Sequence, residues 1–155
     1  MRKYTTVEAA LTAVSEDGLA LRDVPEDLKT AEVCMAAVSE YGLALAFVPR
    51  TMKTKEVCLD AVKQDGRALR WVPAKMKTEE LCIEAVRQCA RALKFVPERL
   101  KMPAVCIEAV RQRGLSLEDV PLALKTPKLC LEAVMQDSRV LAFVLEKLKM
   151  QELCQ

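Results

Sequence analysis

The chain has 155 residues, of which 52% are hydrophobic, 30% are charged and 4% are aromatic, and it contains no histidine. This length allows one compact domain or one short repeat array, and the high apolar content excludes intrinsic disorder. The lack of histidine excludes histidine-dependent catalysis and histidine metal ligands, and a net charge of +2 is too small to indicate nucleic-acid binding by itself.

The N-terminal segment does not have the pattern of a targeting signal. Met1-Arg2-Lys3 is followed by polar residues and Glu8, where a signal peptide needs an apolar core. The longest apolar stretches run for about seven residues, far fewer than the roughly 20 that a membrane span requires. We therefore expect no membrane association.

Three residue types recur along the chain with one period of 24 residues. The cysteines of this series are Cys34, Cys58, Cys82, Cys106, Cys130 and Cys154. The prolines, each preceded by valine, are Pro25, Pro49, Pro73, Pro97 and Pro121, and the glycines of one register are Gly18, Gly42, Gly66 and Gly114. Such a period indicates a tandem-repeat solenoid.

The repeat divides the chain into units, which together form a single helical repeat domain over residues 1–155. The units cover residues 3–26, 27–50, 51–74, 75–98, 99–122 and 123–146, and residues 147–155 begin a seventh. If residues 147–155 do not belong to a longer array, they form a cap or a self-association surface.

Within the third unit the pattern predicts two helical segments. Thr54 is a good N-cap for a helix over residues 55–65, and Gly66 suits the left-handed residue that closes such a helix. A shorter segment over residues 67–72 ends where Val72-Pro73 forces a bend. The apolar arc of the first helix covers roughly 200°, which is typical of a helix wedged between two neighbours. We predict an all-α fold, an α-solenoid of about six helix–short-helix repeats plus a partial seventh.

The periodic cysteines are interpreted as small buried side chains between helices. Adjacent repeats hold their backbones about 8–10 Å apart, too far for a disulfide. No CxxC pair and no histidine is present to complete a zinc site, so we expect no metal and no cofactor. Six unpaired thiols favour a reducing, cytoplasmic compartment. Cys89 lies outside the series and is the thiol that we expect to be most exposed.

Two polar columns follow the same period. The lysine row consists of Lys29, Lys53, Lys77, Lys101, Lys125 and Lys149. It is interpreted as solvated lysines whose stems cover an apolar edge, or alternatively as an electrostatic track for an acidic partner or nucleic acid. The glutamine column of Gln64, Gln88, Gln112 and Gln136 is interpreted as a solubilising face, although such columns can read bases in some RNA-binding repeats.

The aromatic column is the candidate partner-binding surface. Phe47, Trp71, Phe95 and Phe143 share one register, which holds Asp23 and Asp119 in two other units. With Arg70 and Lys94 beside them, these rings form a predicted peptide-binding strip, because aromatic residues and arginine dominate interface hot spots. The alternative is that each ring packs against the Val-Pro bend of its own unit.

The unit motif L-C-[IL]-E-A-V-x-Q, followed by G-x-A-L and V-P-x-x-[LM]-K-T, resembles a short-repeat domain of unknown function. The resemblance covers the whole chain. That family occurs in multi-copy arrays in bacterial and protist proteins, which implies an all-helical array and supplies no active site. The period is also similar to that of leucine-rich variant repeats, which alternate an α-helix with a 3₁₀ helix.

We therefore predict a repeat scaffold, and not an enzyme, that mediates protein–protein interaction. One alternative is a nucleic-acid-binding solenoid that uses the lysine row and the basic middle units, where residues 51–122 carry 14 basic and 10 acidic residues. The other is an inhibitor or immunity-type protein that wraps a toxin or an enzyme. End-to-end self-association through the C-terminal repeat is a further expectation.

Overall fold

The fold is that of a computed structural model, which describes the backbone of residues 4–153 and the side chains of residues 4–146. The α-helices in this part of the chain are α1 Val7–Glu16, α2 Ala31–Glu40, α3 Lys55–Gln64, α4 Glu79–Gln88, α5 Pro103–Gln112, α6 Pro127–Gln136 and α7 Val140–Leu153. Helices α1–α6 begin 24 residues apart, and the described residues contain no strand. The predicted all-α solenoid is confirmed. We number repeats 1 to 6 by helices α1–α6.

In repeats 1–5 the α-helix is followed by a six-residue 3₁₀ helix and a three-residue 3₁₀ turn. The 3₁₀ helices are Gly18–Asp23, Gly42–Phe47, Gly66–Trp71, Ala90–Phe95 and Gly114–Asp119, and the turns are Glu26–Leu28, Arg50–Met52, Ala74–Met76, Glu98–Leu100 and Leu122–Leu124. The predicted second segment is thus a 3₁₀ helix. Val72, after the third of them, is extended, with φ −71° and ψ 130°, as a following proline requires.

Threonine caps determine where most of the repeated α-helices begin. The threonine hydroxyl accepts a hydrogen bond from the backbone N–H three residues further on, over 3.2–3.3 Å, at Thr6, Thr30, Thr54, Thr78 and Thr126. In α5 the N-cap is Met102, and Pro103 occupies the first helical position, where its missing N–H is not needed. The predicted N-cap of the third unit is confirmed.

The repeated glycines serve a purpose that we did not predict. No described residue has a positive φ, so the left-handed helix end predicted at Gly66 is wrong. Helix α3 ends at Gln64, and its C-cap residue Asp65 is extended. A Cβ atom on Gly66 would overlap the carbonyl oxygen of Ala85 in the next repeat, and each of the other glycines faces the equivalent alanine carbonyl. Glycine is needed because neighbouring repeats approach closely, and not because of its own dihedral angles.

The core runs through the array as ladders of identical residues. The fully buried leucines of the 3₁₀ helices are Leu21, Leu45, Leu69, Leu93 and Leu117, and the fully buried valines of the α-helices are Val14, Val38, Val62, Val86 and Val110. Each of helices α2–α6 packs on the α-helix and the 3₁₀ helix of the preceding repeat, and neighbouring 3₁₀ helices also pack together. Stability therefore comes from stacking of adjacent repeats.

The C-terminal end differs from the prediction. The register that holds proline elsewhere is occupied by Leu145, so α7 continues from Val140 to Leu153 without a bend. Residues 147–153, which we predicted to begin a seventh unit, are the second half of this helix.

Candidate functional site

The aromatic column lies along the 3₁₀ side of the array. Phe47, Trp71 and Phe95 are the last residues of their 3₁₀ helices, and Phe143 lies in α7. The three phenylalanines are half-buried and pack against the core, whereas 39% of Trp71 is exposed. The three phenylalanines are thus packing residues, and Trp71 is the ring of the column that the array leaves accessible. Packing on the Val-Pro bend stays a prediction and does not apply to Phe143, whose unit has Leu145 in place of proline.

Arg70 connects two rings of this column. Its Cζ atom lies 5.1 Å from the ring centroid of Trp71 and 5.9 Å from that of Phe95 in the next repeat. Both distances suit a cation–π contact, so the guanidinium can interact with both rings. Lys94 is exposed beside Phe95. The column therefore presents one accessible indole, with an arginine beside it, in the middle of the array.

In repeats 2–5 the lysine row lies against the backbone of the 3₁₀ helices. The ammonium groups of these lysines donate hydrogen bonds to the carbonyl oxygen of the last residue in the 3₁₀ helix of the same repeat. The pairs are Lys29–Phe47 at 3.2 Å, Lys53–Trp71 at 3.0 Å, Lys77–Phe95 at 2.8 Å and Lys101–Asp119 at 2.9 Å. Burial lowers the pKa of Lys53 and Lys77, and Lys29 is only 7% exposed. The interpretation as solvated side chains is therefore wrong for Lys29 and Lys101, whose side chains are only 7% and 10% exposed, and the interpretation of the row as a binding track stays a prediction. We call these four bonds the lysine clamps.

The remaining lysines of the row differ from the clamps. Lys125 lies over the ring of Phe143, with its Nζ atom 4.7 Å from the centroid. This residue of the column lies inside α7 and not at the end of a 3₁₀ helix. Lys149 lies outside the part of the chain whose side chains are described.

One corner residue joins each α-helix to the following helix, and these residues form a further column. We did not predict from the sequence that some of them form ion pairs. In repeat 3, the Arg67 guanidinium binds the carboxylate of Asp65 with Nε–Oδ1 at 3.0 Å and Nη2–Oδ2 at 2.6 Å. In repeat 6, Arg139 binds Asp137 in the same way, at 2.9 and 2.6 Å. These hydrogen bonds lower the pKa of both aspartates.

Repeats 4 and 5 lack this carboxylate, because their corner residues are Cys89 and Arg113. Cys89, Arg91 and Arg113 line a groove of about 500 Å³, together with Arg67 and three residues of the glutamine column, Gln64, Gln88 and Gln112. The sequence shows that Cys89 lies outside the cysteine series, but it did not lead us to predict the groove. The pattern that indicates the groove is an arginine two residues after the corner in repeats 3, 4 and 6.

The periodic cysteines are packing residues in repeats 2–5. Cys34, Cys58, Cys82 and Cys106 are fully buried, and burial raises the pKa of each thiol, that of Cys106 to about 11. A buried thiol with a raised pKa is a poor nucleophile at neutral pH. Cys130 and Cys89 are half-buried, and Cys154 lies outside the described residues. The expectation of buried cysteines is confirmed for the first four.

Two other classes of site are not found in the described part of the chain. No group of three or more cysteine, aspartate or glutamate residues there could hold a metal ion. None of the helices that could be searched combines the length and the apolar character that a membrane crossing demands.

The C-terminal end of the array exposes an apolar face. Leu131 and Met135 of α6 are 62% and 79% exposed, and Leu141 of α7 is 46% exposed. In repeat 5, the equivalents of the last two are Arg111, which pairs with Glu132 at 2.8 Å, and the fully buried Leu117. In repeat 6 the leucine register that is fully buried in repeats 1–5 is therefore exposed, beside two further exposed apolar side chains of α6.

Stacked α–3₁₀ units with periodic surface columns define an all-helical tandem-repeat solenoid. A family model described as a domain of unknown function (DUF4116) matches three overlapping segments, residues 7–53, 31–77 and 54–101. The chain belongs to this family. The resemblance inferred from the unit motif is thereby confirmed. No curated protein and no solved structure matches the chain.

Proposed function

We propose that the chain is a non-catalytic repeat scaffold that binds a protein partner through the aromatic strip around Trp71. The observation that carries this proposal is the indole of Trp71, which is 39% exposed and has the guanidinium of Arg70 5.1 Å from its ring centroid. Tryptophan and arginine are the residues most enriched in interface hot spots, and a preorganised anchor loses little entropy on binding. Phe95 extends this anchor into the next repeat.

The test is a quantitative pull-down from a lysate of the source organism with the immobilised chain. We expect Trp71→Ala combined with Phe95→Ala to lose the proteins that the unmodified chain retains. The matched control is Leu59→Ala, because Leu59 is a large apolar residue of α3 that is 38% exposed and lies outside the aromatic column. If the double variant retains every partner, the aromatic strip is not the binding surface.

Nucleic-acid binding through the lysine row is the weaker candidate. The clamps bind four of its ammonium groups to backbone carbonyls, and Lys29 and Lys101 also pair with Glu26 and Glu98, which reduces the positive charge that the row offers to phosphates. We expect no measurable RNA or DNA binding through this row at about 50 mM salt, where phosphate contacts would be strong.

We also propose end-to-end self-association through the apolar face of repeat 6. Two copies that bring Leu131, Met135 and Leu141 together would bury three apolar side chains that are 46–79% exposed in the single chain. Size-exclusion chromatography with light scattering should show a dimer that Met135→Lys converts to a monomer, since a charge at the centre of an apolar interface is costly. A monomeric unmodified chain would contradict this proposal.

A further inference from the structure

The corner of repeat 4 has an arginine but lacks the carboxylate that binds the equivalent arginine in repeats 3 and 6. Wherever aspartate occupies the corner and arginine follows two residues later, the two form a bidentate pair, as in Asp65–Arg67 and Asp137–Arg139. The recurrence in two separate repeats shows that the backbone of the corner itself creates this geometry. In repeat 4 the sequence is Cys89-Ala90-Arg91, so the same arginine position has no acid beside it.

The neighbouring repeats add positive charge to this corner. Arg67 from repeat 3 and Arg113 from repeat 5 line the same groove as Arg91. Among the described residues, the guanidinium groups of Arg91 and Arg113 have no hydrogen-bonded or salt-bridged partner. Arg113 lowers the pKa of Asp137 from a distance, but that carboxylate is bound to Arg139. The groove thus contains three guanidinium groups and one carboxylate, that of Asp65.

We propose that this groove binds an acidic side chain of a partner protein, whose carboxylate takes the place that aspartate fills in repeats 3 and 6. The proposal rests on the proposed scaffold function and assigns a second contact surface, one that selects acidic segments. A carboxylate is favoured over a phosphate because the chain itself places a carboxylate in this geometry twice. A protein is favoured over nucleic acid because no aromatic ring lines the groove for base stacking.

The binding experiment uses fluorescein-labelled hexaglutamate as the probe and hexaglutamine as its neutral counterpart. Fluorescence anisotropy at about 50 mM salt keeps charge interactions visible. We expect hexaglutamate to bind and hexaglutamine not to bind. The thiol of Cys89 reports the location, because bound hexaglutamate should slow its alkylation by iodoacetamide, as mapped by mass spectrometry.

Two sets of variants test the groove itself. Arg91→Gln combined with Arg113→Gln should weaken hexaglutamate binding about tenfold or more, because charge-assisted hydrogen bonds to the carboxylate are lost. Lys63→Gln combined with Lys75→Gln removes the same charge from exposed positions outside the groove and should leave binding within about twofold.

A substitution at Cys89 supplies the missing carboxylate within the chain. Cys89→Asp should pair with Arg91 as Asp65 pairs with Arg67, and should weaken hexaglutamate binding about tenfold. Cys89→Asn has nearly the same shape without the charge and should bind within about twofold of the unmodified chain. Unchanged circular dichroism spectra would show that both variants keep the fold.

Three results would overturn the proposal: equal binding of hexaglutamine, undiminished binding by Cys89→Asp, or tighter binding of an oligouridylate that displaces hexaglutamate. The last result would assign the groove to nucleic acid. A negative result here combined with loss of partners in the Trp71 and Phe95 variant leaves the scaffold function standing. The two proposals can therefore fail separately.

Discussion

Replacing Lys77 tests whether the lysine clamps stabilise the array. The Nζ atom of Lys77 donates to the carbonyl oxygen of Phe95 over 2.8 Å. A hydrogen bond from a charged donor contributes about 1.5–3 kcal/mol, and an unpaired buried acceptor costs about 1–3 kcal/mol. The burial that lowers the pKa of Lys77 shows that desolvation offsets part of this gain.

We expect Lys77→Met to lower the free energy of unfolding by about 1–2 kcal/mol, because methionine keeps an apolar stem but cannot donate the bond. For a chain of this size, the corresponding decrease in the melting temperature is about 2–8 °C. Urea unfolding followed by circular dichroism measures the change. The control is Lys94→Met, because Lys94 is an exposed lysine beside the same aromatic ring.

A stabilising role of the clamp would be refuted if Lys77→Met and Lys94→Met had free energies of unfolding within about 0.3 kcal/mol of each other. The ammonium group would then gain nothing over its hydration in the unfolded chain. The clamps would be a consequence of the fold and not a cause of its stability.

Three further predictions concern packing and pH. Gly66→Ala should lower the free energy of unfolding by about 1–3 kcal/mol, because the new Cβ atom would overlap the Ala85 carbonyl oxygen. Chemical denaturation measures the change. As a control, Ala90→Gly at the same register in repeat 4 should change the free energy of unfolding by no more than about 1 kcal/mol. Ser116→Ala should raise the melting temperature, because the buried Ser116 hydroxyl has no hydrogen-bond partner. Removal of this hydroxyl should stabilise the chain by about 1 kcal/mol. A lower melting temperature would show that the hydroxyl does form a hydrogen bond. Thermal melts should show stability falling as pH rises from about 9 through about 11, because the thiol of Cys106 has a pKa of about 11 when folded and 9.0 when unfolded, so the unfolded state releases its proton first. The lowered pKa values of Lys53 and Lys77 act in the opposite direction over this range and reduce the decrease. Because Cys106→Ala removes the thiol, stability should fall less with pH in this variant than in the unmodified chain. Equal pH profiles of the two proteins would contradict the raised pKa of Cys106.

The period of the sequence determined most of the fold. Threonine before all but one of the repeated α-helices, proline after valine in the first five units and the periodic cysteines specify where helices begin, bend and pack, because these preferences act over a few neighbouring residues. The same local reasoning could not find the reason for Gly66. Gly66 is required because the Ala85 carbonyl of the next repeat leaves no room for a Cβ atom. The distance between two stacked repeats cannot be read from the spacing of residues along the sequence.

The candidate sites show the same division. The sequence alone identified Trp71 as part of an aromatic column and Cys89 as the exception among the thiols. Only the tertiary structure decided that Lys77 turns inward to the Phe95 carbonyl, and that Arg67, Arg91 and Arg113 line one groove. The physical reason is that a long charged side chain binds the polar groups that the stacked repeats bring within about 3 Å of it. The periodicity of the sequence does not specify which groups these are.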